Sequence, residues 1–471
     1  MVLRYRAYLG GSKDFVERYF SSLEGDRYLA KYIAEVVLGH VKVLTNQGII
    51  PRECGKEVSE ALIEVVGSEG EALYRWITGR GQTFEDAFEA LEAYLYEAAG
   101  RCTGYVAIGR SRNDHIASVL RLYARDRVLE VLRKLLELRR VLLGKAEELR
   151  GVVMPYFTHS QVAQCGSASL YFLSYERTFS NVWRLLAQGL ELLRENPLGS
   201  GAASGSLLDI DRGYIARALC FDSTPLPPYY ATGSRLFVLY YLNALALVML
   251  EVSRFAEDMV LLNSLVPRAV LPPVEHVATS SILPHKRNLV TMEIARASAS
   301  KILGYAAAVQ SIYKGLPYGY NLDLQEVNTL LKRTLETTSS TLDVVVDFVA
   351  GLSMDSRALL EYVADKPCWS SELVEYVAIK SGRPAREIYL EVAKLFKECE
   401  IPQSEECVSR ALSAFNLSPQ EVWDLIRSKP VEVSIERMLE DARAGLENDR
   451  KALKELANLI EGCRAELHKP V

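Results

Sequence analysis

Residues 114–150 read DHIASVLRLYARDRVLEVLRKLLELRRVLLGKAEELR, and the spacing of their apolar side chains decides the fold class. Ile116, Leu120, Tyr123, Val128, Val131, Leu132, Leu135 and Leu136 recur mostly at intervals of three and four, with Arg, Glu and Lys between them. That is the period of an amphipathic helix, and the stretch exceeds the average globular helix in length. Four more long helical stretches follow, at 170–194, 236–265, 292–313 and 324–349. No run alternates with period two, so strands are expected to be minor at most. Residues 236–250 are apolar nearly throughout, interrupted by Asn243. A membrane span needs roughly 20 such residues, so this run is expected to be a helix buried among other helices.

Working outward, the breaks at 196–201, 223–233 and 267–284 are rich in Gly, Pro and Ser, and composition changes again at 351–356. With 471 residues the chain is too long for one compact core. The expected plan is all-α: an N-terminal helical domain at 1–112, a central long-helix bundle at 113–351 and a C-terminal helical domain at 352–471. Helices this long, one of them apolar throughout, imply a core completed by other subunits.

Composition excludes several function classes. Hydrophobic residues make up 49% and charged residues 24%, as in ordinary soluble proteins. The net charge is −5, and no block of Lys and Arg reads as a nucleic-acid or lipid footprint. Neither nucleic acid nor membrane is expected as a partner. The segment Met1-Val2-Leu3-Arg4-Tyr5-Arg6 lacks the apolar stretch of a signal peptide. Eight cysteines show no CxxC pair and no metal-ligand spacing, which reads as thiols serving as small apolar residues in a reducing compartment, the cytoplasm. A Cys399–Cys407 disulfide is conceivable. With six histidines in all, no His-based metal site is expected.

Three polar clusters stand directly before long helices. Gly109-Arg110-Ser111-Arg112-Asn113-Asp114 can be a helix cap, with Asn113 or Asp114 satisfying free N–H groups. Its two arginines, beside a helix N-terminus, also make a carboxylate site. Met154-Pro155-Tyr156-Phe157-Thr158-His159-Ser160-Gln161 sets a histidine in polar company. Thr279-Ser280-Ser281-Ile282-Leu283-Pro284-His285-Lys286-Arg287-Asn288 reads by itself as a surface loop. Lys286 and Asn288 add two closely spaced donors, and Glu293 follows in the next helix; a carboxylate of this kind can orient a histidine and raise its basicity.

Taken in order, the three clusters resemble the signature regions of the fumarase/aspartase superfamily, whose last region reads GSSxMPxKxN. GRSRND at 109–114 and MPxxTHxQ at 154–161 are closest to the argininosuccinate lyase family. Further likeness lies in Pro197-Leu198-Gly199-Ser200-Gly201-Ala202, in Tyr320-Asn321-Leu322-Asp323-Leu324-Gln325-Glu326 and in Lys380-Ser381-Gly382-Arg383-Pro384-Ala385-Arg386-Glu387.

The resemblance implies an all-α homotetramer around a shared central bundle of five long helices, with each active site drawn from three subunits. It implies no metal and no organic cofactor. The implied reaction is the β-elimination of argininosuccinate to arginine and fumarate, a step of arginine biosynthesis. Its difficulty is a weakly acidic C–H beside a carboxylate, whose deprotonation builds a dianion. By resemblance Ser280 is the base, favoured over His159 for the first proton, and Lys286 supplies the field that stabilises its alkoxide. His159, oriented by Glu293, handles the leaving group's proton, and Asn288 grips the dianion. Substrate contacts fall on Ser22, Arg112, Asn113, Thr158, Tyr320 and Gln325.

This sequence departs from the family at several positions. Ala107-Ile108 replace His-Thr, Phe88 replaces a histidine, Thr279 replaces the glycine before the double serine, and Leu289 replaces a proline. Asn328 stands where the family carries a substrate-contacting lysine, with Lys332 and His285 as candidate substitutes. The elimination machinery is complete while the recognition shell is altered. Two other readings therefore stand beside the first: a superfamily lyase acting on another succinyl adduct such as adenylosuccinate, and a non-catalytic structural relative.

Overall fold

The computed structural model describes residues 13–80, 84–222, 226–266, 268–364, 366–398 and 405–470. Met1 to Arg6 and Cys399, on which two expectations rested, lie outside the described residues.

Five long helices form the centre: Arg112–Glu148, Ala168–Gln188, Leu236–Leu265, Val290–Tyr313 and Leu324–Gly351. The Arg112 helix starts at a capping box, in which Ser111 Oγ accepts the N–H of Asn113 and Asp114 Oδ1 accepts the N–H of Ser111. The N-cap is thus Ser111, and of the two expected residues it is Asp114, not Asn113, whose side chain satisfies backbone N–H groups. Ile116, Leu120, Tyr123, Val128, Val131, Leu132 and Leu135 are buried as the period requires.

The polar positions of this helix are less solvated than an amphipathic reading implies. Arg121, Arg125 and Arg139 are buried and partnered: Arg121 with Glu195 at 2.9 Å, Arg139 with Glu176 at 2.8 Å and Asp449 at 2.7 Å. Arg125 donates to the carbonyls of Leu219 and Cys220. Removing one partner of such a buried pair costs about 3–5 kcal/mol, because the remaining charge stays out of water.

The Leu236 helix runs 30 residues, twice the apolar run read from the sequence, and by length and composition alone could cross a membrane. Here it packs against the Ala168, Val290 and Leu324 helices and buries Phe237, Tyr241, Leu245, Met249, Val252 and Phe255. Its core role therefore holds, while the ground of insufficient length does not. Leu236, Leu247 and Leu250 stay exposed on this helix, as do Ile294 and Leu303 on the Val290 helix.

Ahead of the bundle, the helices Ala30–Asn46, Arg52–Gly67 and Ala87–Ala99 extend the same core. After it, Ser370–Ser381, Ala385–Lys397, Glu405–Ser413 and Pro419–Arg427 enclose a second core around Trp369, Leu373, Ile388, Val392 and Ile426. The last helix, Ile435–Leu467, runs back along the Arg112 and Ala168 helices and joins the first core. Strands among the described residues are short antiparallel pairs, of which Val153–Thr158 with Gln161–Ser167 is the longest.

The reading of the cysteines as free thiols is corrected. Disulfides join Cys54 to Cys102, Cys165 to Cys368 and Cys220 to Cys463, with Cα separations of 4.9, 5.3 and 5.8 Å. Cys407 is disulfide-bonded as well. The pairs lie 48, 203 and 243 residues apart, so no local spacing could announce them. In the chain-entropy view, closing a loop of roughly 200 residues removes about 5 kcal/mol from the unfolded ensemble.

Candidate active site

The N-terminus of the Arg112 helix is fixed by its own acidic residue. Asp114 is fully buried and its Oδ2 accepts the N–H groups of Gly199 at 3.2 Å and Gly201 at 3.0 Å. Burial pushes its carboxyl up to about 7, against the pull of these backbone donors. Gly201 has φ +57°, and a Cβ there would stand 2.7 Å from the Gly205 carbonyl, so the turn requires glycine. Arg110 pairs with Glu92 at 3.0 Å, which leaves Arg112 and Asn113 at the rim. Arg112 forms ion pairs with Glu85 and Asp86, and Asn113 Nδ2 donates to the Ala202 carbonyl.

Three more expected contact residues gather at the same corner. Ser22 Oγ donates to Asp26 Oδ2 at 2.7 Å, and the Ser22 N–H donates to the Glu85 carbonyl. Burial pushes the Asp26 carboxyl up to about 6, partly offset by the Ser22 bond. Gln325 Nε2 donates to the Phe20 carbonyl at 3.3 Å. Tyr320 is held above the usual phenol range by burial, with the charge of nearby Arg112 opposing the shift. Beside these residues opens a cleft of about 570 Å³, lined by Glu85, Asp86, Arg110, Ser111 and Arg112 among others. The acidic partners Glu85, Asp86 and Asp26 were not singled out from the sequence. The only signal for Asp26 was its place four residues after Ser22.

His159 occupies the tip of a β-hairpin, which the sequence did not announce. Thr158 pairs with Gln161, and the two residues between them, His159 and Ser160, have φ of +52° and +58°. Positive φ at both central residues is the type I′ geometry that matches strand twist, here adopted without glycine. Thr158 and His159 are exposed.

The third cluster is a loop closed by a two-residue ladder, in which Ala278 pairs with Asn288 and Thr279 with Arg287. Thr279, at the family's glycine position, is thus a strand residue. Ser280 Oγ accepts the N–H groups of Ile282 at 3.3 Å and Leu283 at 3.2 Å. Lys286 is exposed, and Ser280 and Asn288 are half-buried. Leu289 is buried just before the Val290 helix, and Glu293 projects from that helix's first turn into solvent.

The single chain therefore assembles Ser22, Arg112, Asn113, Tyr320 and Gln325. It does not bring them into hydrogen-bonded contact with Thr158 and His159, or with Ser280, Lys286, Asn288 and Glu293. Among the described residues the side chains of His159, Lys286 and Glu293 make no hydrogen bond or ion pair, so the expected Glu293–His159 contact is not formed within one chain. Of the suggested substitutes for the missing lysine, Lys332 lies over the Tyr28 ring at 4.7 Å, and the Tyr28 hydroxyl donates to the Asn328 carbonyl. His285 is exposed on the loop.

A lyase family model matches residues 26–304. The chain is 36% identical to the argininosuccinate lyase of Pyrococcus furiosus over 96% of its own length and 97% of that protein's. The chain belongs to the argininosuccinate lyase family. Other members it resembles are those of Pyrobaculum calidifontis, 35% identical over 89% of this chain and 96% of that one, and of Sulfurisphaera tokodaii, 36% identical over 83% and 84%. Among solved structures, EDDS lyase in complex with formate superposes with a TM-score of 0.79 at 20% identity, covering 93% of this chain and 90% of that chain. A class II fumarase from Schistosoma mansoni does so with a TM-score of 0.72 at 17% identity, covering 92% and 97%. The expected all-α fumarase-like fold is thus the observed one, and the family places the chain among enzymes.

Proposed function

We propose that this lyase splits argininosuccinate into arginine and fumarate. Ser280 Oγ, as alkoxide, takes the proton on the carbon next to the succinyl carboxylate. The electron pair left behind expels the guanidino nitrogen as the C–N bond breaks, and His159 returns a proton to that nitrogen. Lys286 and Asn288 face the charge that gathers on the carboxylate, and Glu293 orients His159. Ser22, Arg112, Asn113, Thr158, Tyr320 and Gln325 hold the substrate.

The observation that carries this reading is at Ser280. A serine hydroxyl is a poor base unless its alkoxide is stabilised. Here two backbone N–H groups already point at Oγ, with Lys286 on the same short loop. The unengaged side chains of His159, Lys286 and Glu293 fit a homotetramer in which one site draws on three subunits. The exposed leucines of the Leu236 helix fit a shared central bundle. We also retain the division at 1–112, 113–351 and 352–471. Kinship with soluble metabolic enzymes supports a cytoplasmic location for arginine biosynthesis, an argument the disulfides no longer let the cysteines make.

Purified protein given argininosuccinate, adenylosuccinate, malate or aspartate separates the readings by ultraviolet absorbance of fumarate. Fumarate from argininosuccinate is the expected result. Release only from adenylosuccinate would move the assignment to another succinyl adduct, and release from none would make the chain a structural relative.

A further inference from the structure

His159 stands at a tip that holds itself by nothing but its turn. The side chains of Thr158, His159, Ser160 and Gln161 make no hydrogen bond among the described residues. Where the imidazole points is therefore set by the stem of the hairpin, which is seated between the bundle core and the second core. Val153 and Cys165 are buried in the second core, with Val363, Trp369 and Leu373, while Met154 is buried in the bundle core and Tyr156 and Phe157 pack against it.

Several polar links fasten the same stem. Cys165 is bonded through sulfur to Cys368, and its N–H donates to the Cys368 carbonyl at 3.2 Å. Lys429 Nζ donates to the Cys165 carbonyl at 3.1 Å and pairs with the buried Glu372 at 2.8 Å. Gln164 Nε2 donates to Ser371 and Glu372, and the Ser167 N–H donates to Glu432. Inside the hairpin, the Tyr156 hydroxyl donates to the Ser167 carbonyl at 2.7 Å, bracing one strand against the other.

We propose that the C-terminal unit is a positioning element for His159, acting on the second strand of the stem through the Cys165–Cys368 disulfide and the Glu372–Lys429 clamp. Cys165, Cys368, Glu372 and Lys429 are positioning residues that touch no substrate. The inference rests on the role assigned to His159 above. A lever of this kind affects the step in which His159 transfers a proton and leaves the substrate grip around Arg112 untouched. Misplacing a reacting group by about 1 Å can cost on the order of 100-fold in rate.

The test uses the full-length enzyme and initial rates of fumarate release from argininosuccinate. Lys429→Met and the Cys165→Ser/Cys368→Ser pair are each expected to lower kcat about tenfold or more, with a smaller rise in KM from Thr158 on the same tip. Lys429→Arg, which keeps the charge and the donor, is expected to restore most of the loss. Gln164→Leu, a change at the stem surface, serves should the cysteine pair not fold, and is expected to lower kcat more than it raises KM. A lower melting temperature with kcat unchanged in all these variants overturns the proposal, since the stem would then be scaffold only. An equal loss in Lys429→Arg overturns it too. His159→Asn in the otherwise native enzyme separates the two readings. Native kcat there removes the role of His159 itself, whereas a large loss there with silent stem variants removes only the lever.

Discussion

The carboxylate of Asp114 accepts the backbone N–H of Gly201 at 3.0 Å, tying the first turn of the longest bundle helix to a glycine turn 87 residues further along the chain. Arg112 and Asn113 ride on that tie, since they occupy the same helical turn.

Replacing Asp114 by Ala leaves the N–H groups of Ser111, Gly199 and Gly201 without their acceptor. Each orphaned buried donor costs about 1–3 kcal/mol. Chemical denaturation of Asp114→Ala is expected to give a loss of about 3–5 kcal/mol, with a raised KM from the displaced Arg112. A variant as stable as the native protein would show that the tie carries no weight.

Two buried histidines weaken the fold in acid. Burial, followed by the charge of Arg110, lowers His40 to about 4, and His115 is lowered well below its ordinary value with both ring nitrogens unpartnered. Below about pH 6.5 the unfolded chain binds protons that the folded chain refuses. The histidines' contribution is therefore fully present above 6.5 and lost as pH falls toward 4, by about 3 kcal/mol for His40 at 1.36 kcal/mol per unit. The raised carboxyls of Asp114 and Asp26 work in the opposite direction. In His115→Leu the urea midpoint should fall less steeply between pH 6.5 and 4 than in the native protein.

The exposed leucine at position 247, 46% accessible in the single chain, tests the shared bundle. A carboxylate there would have to be buried unpaired in a helical interface. Leu247→Asp is expected to sediment as a smaller species and to lose most fumarate release. A fully active tetramer would place the subunit contact elsewhere.

Ser280→Ala removes the proposed base and should lower kcat about 10²–10⁴-fold with the assembly intact. Because Ser280 and His159 of one chain do not meet, inactive Ser280→Ala and His159→Asn proteins, dissociated and reassembled together, should recover part of the activity. Mixed assemblies contain some sites free of both lesions. No recovery would mean that each site is built from one chain.

Lys332 stands one helical turn beyond the altered lysine position, held over Tyr28. Lys332→Ala is expected to raise KM roughly tenfold, the equivalent of about 1.4 kcal/mol, with kcat unchanged. An unchanged KM removes it as the substitute.

The five bundle helices were legible because burial repeats every three to four residues along them, and the Leu236 helix was read at its observed ends. The hairpin was not. Met154 to Ser167 lacks alternation, and its turn places His159 and Ser160 at positive φ, where residue preferences point to glycine or asparagine. The burial of Arg121 and Arg139 was not legible because their partners, such as Glu195 and Asp449, lie far along the chain. The site clusters could be found locally, since each precedes a helix. Their surroundings could not: Glu85 and Asp86 meet Arg112 across about 27 residues, and the disulfide partners are further apart still.

The Cys165–Cys368 and Cys220–Cys463 bridges span overlapping stretches, and the exposed stretch Ser281 to Arg287 of the proposed catalytic loop falls inside both. A protease that cut this loop would sever the backbone but not the molecule, for the two fragments stay doubly sewn together. Damage at the most accessible part of the proposed catalytic apparatus would pass unnoticed on a non-reducing gel, and the pieces would part only when both bridges were reduced.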